Sequence, residues 1–338
     1  MPRIHPQATH GFHAASSYDT HRPTYPQPAV SALLSAIGVA GCPGARLVEL
    51  GAGTGKFTAL LAAREEGFEV VAGEPHGEMR GVLEGKRLAG VRVVGDRGED
   101  LASVEGRWTD GVVVAQAFHW FATIETLEEI KRVLKPGGGG LGMIWNVDDF
   151  NAPIDHTPST PYEARLKAII RSLPNPISLY RELKWMDVLQ LEQQQLFEWP
   201  LHEDEVAYGT RLSRDQIWER FATMSQVSSL KGDELQAMKN RVFEALTGDD
   251  VDEDEEGGIG WHGRVRADSE QTSTLILTAS TNCCRLCGTG HSPSPTGEMA
   301  RDAGSAAIAL YHLECDRESC AYSSGIRHCT RPVPVPKC

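Results

Sequence analysis

The chain has 338 residues, of which 41% are hydrophobic and 23% charged, a composition that supports a sizeable buried core in one large domain or two ordinary ones. Its 46 acidic against 33 basic residues leave a net charge of −13, which argues against a nucleic-acid backbone or an anionic membrane as the main partner and favours a small substrate. No stretch approaches the roughly 20 apolar residues of a membrane span, and the start "MPRIHPQATHGFHAASSYD" lacks the apolar run of a signal peptide, so a soluble, cytoplasmic protein is expected.

From residue 26 to 146 short β-like runs alternate with helix-like ones, which predicts an α/β fold with a parallel sheet and helices on both faces. "ARLVEL" (45–50) reads as a first strand, and "KFTALLAAREEG" as a helix carrying Phe57, Leu60 and Leu61 on one face and stopped by Gly67. "FEVVAGE" (68–74), "VRVVGD" (91–96) and "DGVVVAQA" (110–117) follow as strands two to four. "TIETLEEIKRVL" predicts a helix capped by Thr123, with Ile124, Leu127, Ile130 and Leu134 on its apolar face and Pro136 as its stop. "LGMIWN" (141–146) is the fifth strand, and the continuous apolarity of these runs suits strands buried on both faces. Residues 147 to about 190 are punctuated by proline and read as an insertion over the site; "LFEWPLHED" is a candidate sixth strand, with helices near 212–230 and 232–246. Asp249 to Glu256 hold seven acids in eight residues and read as a solvated linker, because such runs repel themselves. Beyond 265 the composition turns to Ser, Thr, Gly, Cys and Pro.

Between the first strand and its helix lies "ELGAGTG", with Gly51, Gly53 and Gly55 on alternate positions behind Glu49. A glycine turn leaving a strand suits a ligand with a charged group, and the spacing narrows the choice. The dinucleotide fingerprint G-x-G-x-x-G would need a third glycine where Lys56 stands, and no G-x-x-x-x-G-K-[ST] run is present. Glu74, at the end of the second strand, falls about 20 residues beyond the loop, where an acid meets ribose hydroxyls in sheets of this kind.

At these residues the chain resembles the class I S-adenosylmethionine-dependent methyltransferases, whose signature is an acid followed by G-x-G-x-G. "AQAFHWF", "RVLKPGGGG" and "MIWN" extend the resemblance toward a small-molecule branch that includes trans-aconitate methyltransferases and fungal metabolite methyltransferases, as does "SSYDTHRPTYP", similar to a segment that lies over the cofactor in that branch. The resemblance covers about 12–246. It implies a Rossmann-like, mostly parallel sheet and S-adenosylmethionine as cofactor. It implies further that Glu49 buttresses the loop and the donor amino group, that Gly51, Gly53 and Gly55 cradle the methionine end, and that Glu74 meets the ribose. Either Asp96 or the Gly98–Glu99 pair in "VGDRGEDL" is then the adenine-contacting turn, and Gln116 meets the cofactor amino group. Tyr18 and Arg22 either close on the cofactor carboxylate or pack as ordinary parts of the N-terminal segment.

Methyl transfer from a sulfonium is an in-line displacement, so the protein needs to position the acceptor and exclude water, and it needs a base only when the acceptor must lose a proton. His119, just past the fourth strand, is the candidate catalytic residue near the acceptor, either orienting the loop or moving a proton; Trp120 and Phe121 read as pocket wall. The domain reading is a covering segment at 1–40, a cofactor-binding core at 41–146, a substrate-side insertion with the remaining core elements at 147–246, and an acidic linker with a Cys-rich tail at 247–338. The family's seventh, antiparallel strand has two candidate sources, "GIGWHGRVR" (258–266) and "STLILTAS" (273–280), and the C-terminal end of the sheet is expected to be atypical or incomplete. Cys284, Cys287, His312, Cys315 and Cys320 are spaced too loosely for a zinc site, so no metal is expected. The function expected is O-methylation of a carboxylate or hydroxyl on a small molecule; the rivals are an NAD(P)-dependent oxidoreductase and a non-catalytic binding protein of methyltransferase type.

Overall fold

The computed structural model describes residues 19–137, 139–174, 180–192, 196–197 and 202–271. Five parallel strands, β1 (Arg46–Leu50), β2 (Glu69–Gly73), β3 (Val91–Val94), β4 (Gly111–Ala115) and β5 (Gly140–Asp148), are joined by β6 (His202–Leu212) and by β7 (Ile259–Gln271), which runs antiparallel between β5 and β6. The order across the sheet is β3-β2-β1-β4-β5-β7-β6. Chain reversal between β1 and β4 places two loops side by side at the carboxyl edge, the position where ligands bind open α/β sheets. Every residue of β5 is buried, the apolar run Leu141–Trp145 as its sequence predicts and Asn146 and Asp148 with it.

One face of the sheet packs on α1 (Gln27–Ala36) and α2 (Lys56–Ala62), where Leu33, Leu34, Ile37, Phe57 and Leu61 meet Leu47, Val113 and Ile144. α3 (Gly77–Gly85) joins β2 to β3. The other face packs on α4 (Ile124–Val133) and α6 (Trp185–Glu192), through Leu127, Ile130, Val133 and Trp185 against Val114, Met143 and Trp145. Thr123 caps α4 by accepting the Thr126 amide, as expected, whereas Ile124 is 40% exposed because the first turn stands at the carboxyl edge, beyond the sheet's contact surface. A third core gathers α5 (Pro161–Arg171), α7 (Arg214–Ala222), the short α8 (Ser225–Ser228) and α9 (Gly232–Ala245) around Phe150 and Trp261.

Two expectations for the C-terminal part are corrected. The sheet is complete: "GIGWHGRVR" lies within β7, and the alternative "STLILTAS" falls outside the described residues, as does the Cys-rich tail. The acidic run is not an extended linker. Asp250 pairs with Arg165 at 2.8 Å, Asp252 and Asp254 with Arg211 at 3.0 and 3.4 Å, and Glu253 with Arg214, so the arginines of α5, β6 and α7 neutralise a run that would otherwise repel itself. The core therefore continues through 271 and does not end at 246. Replacing Arg165, Arg211 and Arg214 together by alanine is expected to lower the melting temperature at low salt. The deficit shrinks in about 1 M salt, where screening has already weakened the wild-type pairs, and thermal melts at both ionic strengths check it.

β6 reaches beyond the predicted sixth strand to Leu212: His202 to Asp204 of "LFEWPLHED" lie in it, and 198–201 fall outside the described residues. Its sequence, "HEDEVAYGTRL", is that of an edge strand whose charges face water and discourage pairing with another chain.

Candidate functional site

The loop after β1 turns on three glycines in the left-handed region, Gly51 (φ 65°), Gly53 (φ 60°) and Gly55 (φ 82°). A Cβ on Gly51 would lie 2.6 Å from the Ala117 methyl, and one on Gly55 would lie 2.3 Å from Leu83 Cδ1. The loop therefore presses against the β4 loop on one side and α3 on the other. The Gly53 amide donates to Glu74 Oε2 at 2.7 Å, and the His76 amide to Glu74 Oε1 at 2.7 Å, so Glu74 braces the loop directly. Burial pushes its pKa up, against the pull of those two amides.

Glu49 is fully buried between Ala72 of β2 and Val113 of β4, and neither of its oxygens has a hydrogen-bond partner among the described residues. Burial raises its pKa from 4.5 to about 8; the Thr58 hydroxyl opposes the rise and the Glu74 charge adds to it. A carboxylate sealed without a partner is costly, and such groups mark a place where a ligand completes the hydrogen bonding. A cleft of about 420 Å³ brings Glu49 together with Gly51, Gly53, Arg22 and Gln116. Among its other walls are Thr54, Lys56, Ala115 and Asn146.

The cleft is roofed by the segment leading to α1. Asp19 accepts from Thr54 Oγ1 at 2.7 Å and Lys86 Nζ at 2.8 Å, and Lys56 Nζ donates to its carbonyl. Tyr25 stacks edge-on against Phe57 at 5.2 Å, and Asn146 Nδ2 donates to the Thr24 carbonyl at 3.3 Å. Arg22 reaches across to the Thr223 carbonyl at 3.3 Å, tying the roof to the helical third core. Tyr18 lies outside the described residues.

Gln116 ends β4 at φ 60°, an uncommon conformation for a side-chain-bearing residue, held because its amide donates to the Ile144 carbonyl and its Nε2 to the Asn146 carbonyl, both at 2.9 Å. Its side-chain amide is thus tied to β5. His119 sits in the short turn Phe118–Trp120, with its ring 5.2 Å from that of Trp120. Its Nδ1 is enclosed without a partner among the described residues, and burial depresses its pKa to about 3. Burial favours the neutral imidazole, and a group reluctant to take a proton is a poor general base.

His119 lines a second, solvent-open cavity, about 610 Å³ when the solvent space at its mouth is included, together with Trp120, Asn151, Tyr180, Arg181, Met224, Ser225 and Gln226. Arg22, Gln116 and Asn146 line both cavities, so the two are adjacent. Asp96, Gly98 and Glu99 are not among the walls of either. Asp96 is held by the Ser103 amide and hydroxyl, both at 2.9 Å, and Gly98 lies against Phe121, whose Cδ2 would stand 2.6 Å from an added Cβ. Sequence reasoning missed Asn146, Asn151, Arg181 and Gln226. Asn146 had a usable signal, its place at the carboxyl end of β5; the other three stand in stretches without a motif. Among the described residues no group of three His, Cys, Asp or Glu is placed to hold a metal ion, and no helix is long and apolar enough to cross a membrane.

Residues 48–140 match the family of methyltransferase domains. An uncharacterized methyltransferase of Mycobacterium tuberculosis is 39% identical over 136 residues, 40% of this chain and 51% of that protein. An uncharacterized methyltransferase of Schizosaccharomyces pombe is 38% identical over 141 residues, 41% and 53% of the two chains. The chain thus spans about half the length of the curated relatives it matches. A solved structure of a methyltransferase from Anaeromyxobacter dehalogenans superposes with a TM-score of 0.47 at 19% identity, covering 73% of this chain and 97% of its own.

Proposed function

We propose that this chain is a cytoplasmic enzyme that uses S-adenosylmethionine to methylate a small organic molecule, at a carboxylate or hydroxyl oxygen. The observation that carries the reading is the pair of adjoining cavities, one walled by the glycine loop and the unpartnered Glu49, the other by His119. The match of residues 48–140 to methyltransferase domains supports it. The residues of the first cavity fit the cofactor: Glu49 would accept from its ammonium and the loop amides would meet the methionine end; Glu74, which is not among the cavity's described walls, braces the loop and would meet the ribose from behind it. When bound, the cofactor supplies a methyl group on a sulfonium, already activated for displacement.

The protein's own contribution is placement and dryness. Gln116 and Asn146 form the shared wall across which the acceptor would approach, and Trp120 and His119 line the far side. The neutral His119 can orient an acceptor through a hydrogen bond but is too weakly basic to ionise an alcohol, so of the two acceptors a carboxylate, already ionised at neutral pH, asks less of this site.

Titration calorimetry with S-adenosylhomocysteine and with NADPH tests the cofactor, and a tritiated-methyl assay over small acids and phenols tests the transfer. Binding of NADPH alone would overturn the reading in favour of an oxidoreductase, and cofactor binding without transfer to any acid or phenol would favour a binding protein. His119→Gln is expected to lower turnover by about tenfold or more while changing S-adenosylhomocysteine affinity less than twofold. The wild-type rate should show no inflection near pH 6.5, because the His119 ring does not titrate there. A rate that falls on acidification through pH 6.5, and does so only in the wild type, would make His119 the base after all.

A further inference from the structure

We infer that Arg181 is the anion anchor of the second cavity: its guanidinium, with the side-chain amide of Gln226, receives an anionic group of the acceptor, a carboxylate in the first instance. The inference rests on the reading of that cavity as the acceptor site and adds what the acceptor must carry. Arg181 is 4% exposed and Gln226 6%. Arg181 Nη1 donates to Asn151 Oδ1 at 2.8 Å and to Gln226 Oε1 at 3.4 Å, and these neutral acceptors fix the guanidinium without balancing its charge. Its Nε lies 3.6 Å from Glu182 Oε1, beyond hydrogen-bond reach, and the Glu182 side chain is one-third exposed. Arg181 Nε and Gln226 Nε2 are both buried donors with no acceptor among the described residues.

Two other arginines, Arg220, which is as buried, and Arg266, whose side chain is 13% exposed, show what a structural role looks like in this fold. Arg220 meets Asp148 at 2.8 Å, a carboxylate as deeply buried as itself. Arg266 meets Asp268 at 2.9 Å and Glu203 at 2.9 Å. A buried cation whose carboxylate partner, Glu182, is partly exposed and stands 3.6 Å away is less fully compensated than Arg220, so a ligand carrying negative charge is favoured there, and the described lining of the second cavity includes two arginines but no Asp or Glu. Guanidinium and primary amide side by side present N–H groups suited to the two oxygens of a carboxylate. Burial also holds the Arg181 pKa below its ordinary value, while its neighbours hold that of Arg266 above it despite burial, a contrast in the same direction.

The test titrates the full chain, with and without S-adenosylhomocysteine, with acetate, succinate and benzoate and with the corresponding amides, following Trp fluorescence and heat. At least one acid should bind tenfold or more tighter than its amide. Arg181→Gln should abolish that preference, Arg181→Lys should keep part of it, and neither should change S-adenosylhomocysteine affinity more than twofold. Gln226→Glu, which places a carboxylate beside Arg181, should also abolish it, without lowering the melting temperature, and covers the case in which Arg181→Gln does not fold. No preference for any acid over its amide in the wild type, or a preference that survives in Gln226→Glu, would overturn the inference. Failure of S-adenosylhomocysteine to bind while the acid preference behaves as expected would instead remove the methyltransferase reading and leave the anchor standing.

Discussion

Glu49→Gln should make the protein more stable and its cofactor binding worse. Glu49 has no hydrogen-bond partner for either oxygen and titrates near 8 in the folded chain against 4.5 when exposed. A carboxyl group whose folded pKa is raised gives its full stability below the unfolded pKa and loses it as pH rises through the folded one, so the penalty of Glu49 grows between about pH 4.5 and 8. Each tenfold change in proton affinity is worth roughly 1.4 kcal/mol, which puts the penalty at pH 8 on the order of a few kcal/mol. Glutamine carries no charge to desolvate, although its amide is still unpaired, so a gain of about 1–3 kcal/mol is expected at pH 8 and little change at pH 4.5. Asp268, raised to about 7, gives a slope of the same sign in both proteins, and the difference between them isolates Glu49.

Binding moves the other way. A ligand ammonium beside Glu49 favours the ionised carboxylate, so S-adenosylhomocysteine should release a proton on binding near pH 7, measurable by calorimetry in two buffers of different ionisation heat. Glu49→Gln should lose that release and at least tenfold in affinity. If the variant binds as tightly as the wild type with the same proton count, Glu49 is only a strut under the loop.

The glycine-loop cleft was legible in the sequence because the chain there is constrained by backbone. A glycine every second residue is needed where the loop passes between Ala117 and Leu83, and the acid falls on the last turn-facing position of a doubly paired strand. Strands β1, β2, β4 and β5 were legible because burial on both faces leaves an apolar run, whereas β3, a partly exposed edge strand, was legible from its valines alone. β6 was not, since an edge strand with Glu203, Asp204 and Glu205 has no such run to show. Nor was the fate of the acidic run, because the arginines that neutralise it are 39 to 85 residues away in sequence. The second cavity is lined by single side chains from separate elements, His119, Asn151, Arg181 and Gln226 among them, and spacing carries no trace of that convergence. Asp96 shows the opposite failure: its position in the sequence suggested a ligand contact, and its carboxylate is taken up by Ser103.

The loop itself yields the second large effect. Gly51→Ala imposes two costs at once, a left-handed backbone at φ 65° on a residue that disfavours it and a methyl placed 2.6 Å from the Ala117 methyl, with the Phe121 ring 3.3 Å behind. Gly53→Ala imposes only the first, since at φ 60° its nearest neighbour is Met79 Sδ at 3.9 Å. The backbone cost is about 1 kcal/mol, so Gly53→Ala should melt slightly below the wild type. Gly51→Ala should cost about 2–4 kcal/mol, because Ala117 is buried in a packed wall and cannot simply retreat. What gives is either the loop or the turn from Ala117 to Phe121, and both border the cavities: Gly51 lines the first, and Ala117 precedes the turn that carries His119 into the second. Gly51→Ala is therefore expected to lose more than tenfold in S-adenosylhomocysteine affinity even at temperatures where it is fully folded. Thermal melts of both variants, with calorimetry below the lower midpoint, separate the two costs. Equal melting temperatures for Gly51→Ala and Gly53→Ala would mean that the β4 turn yields freely, and that the two cavities are not locked in register by the contact between Gly51 and Ala117.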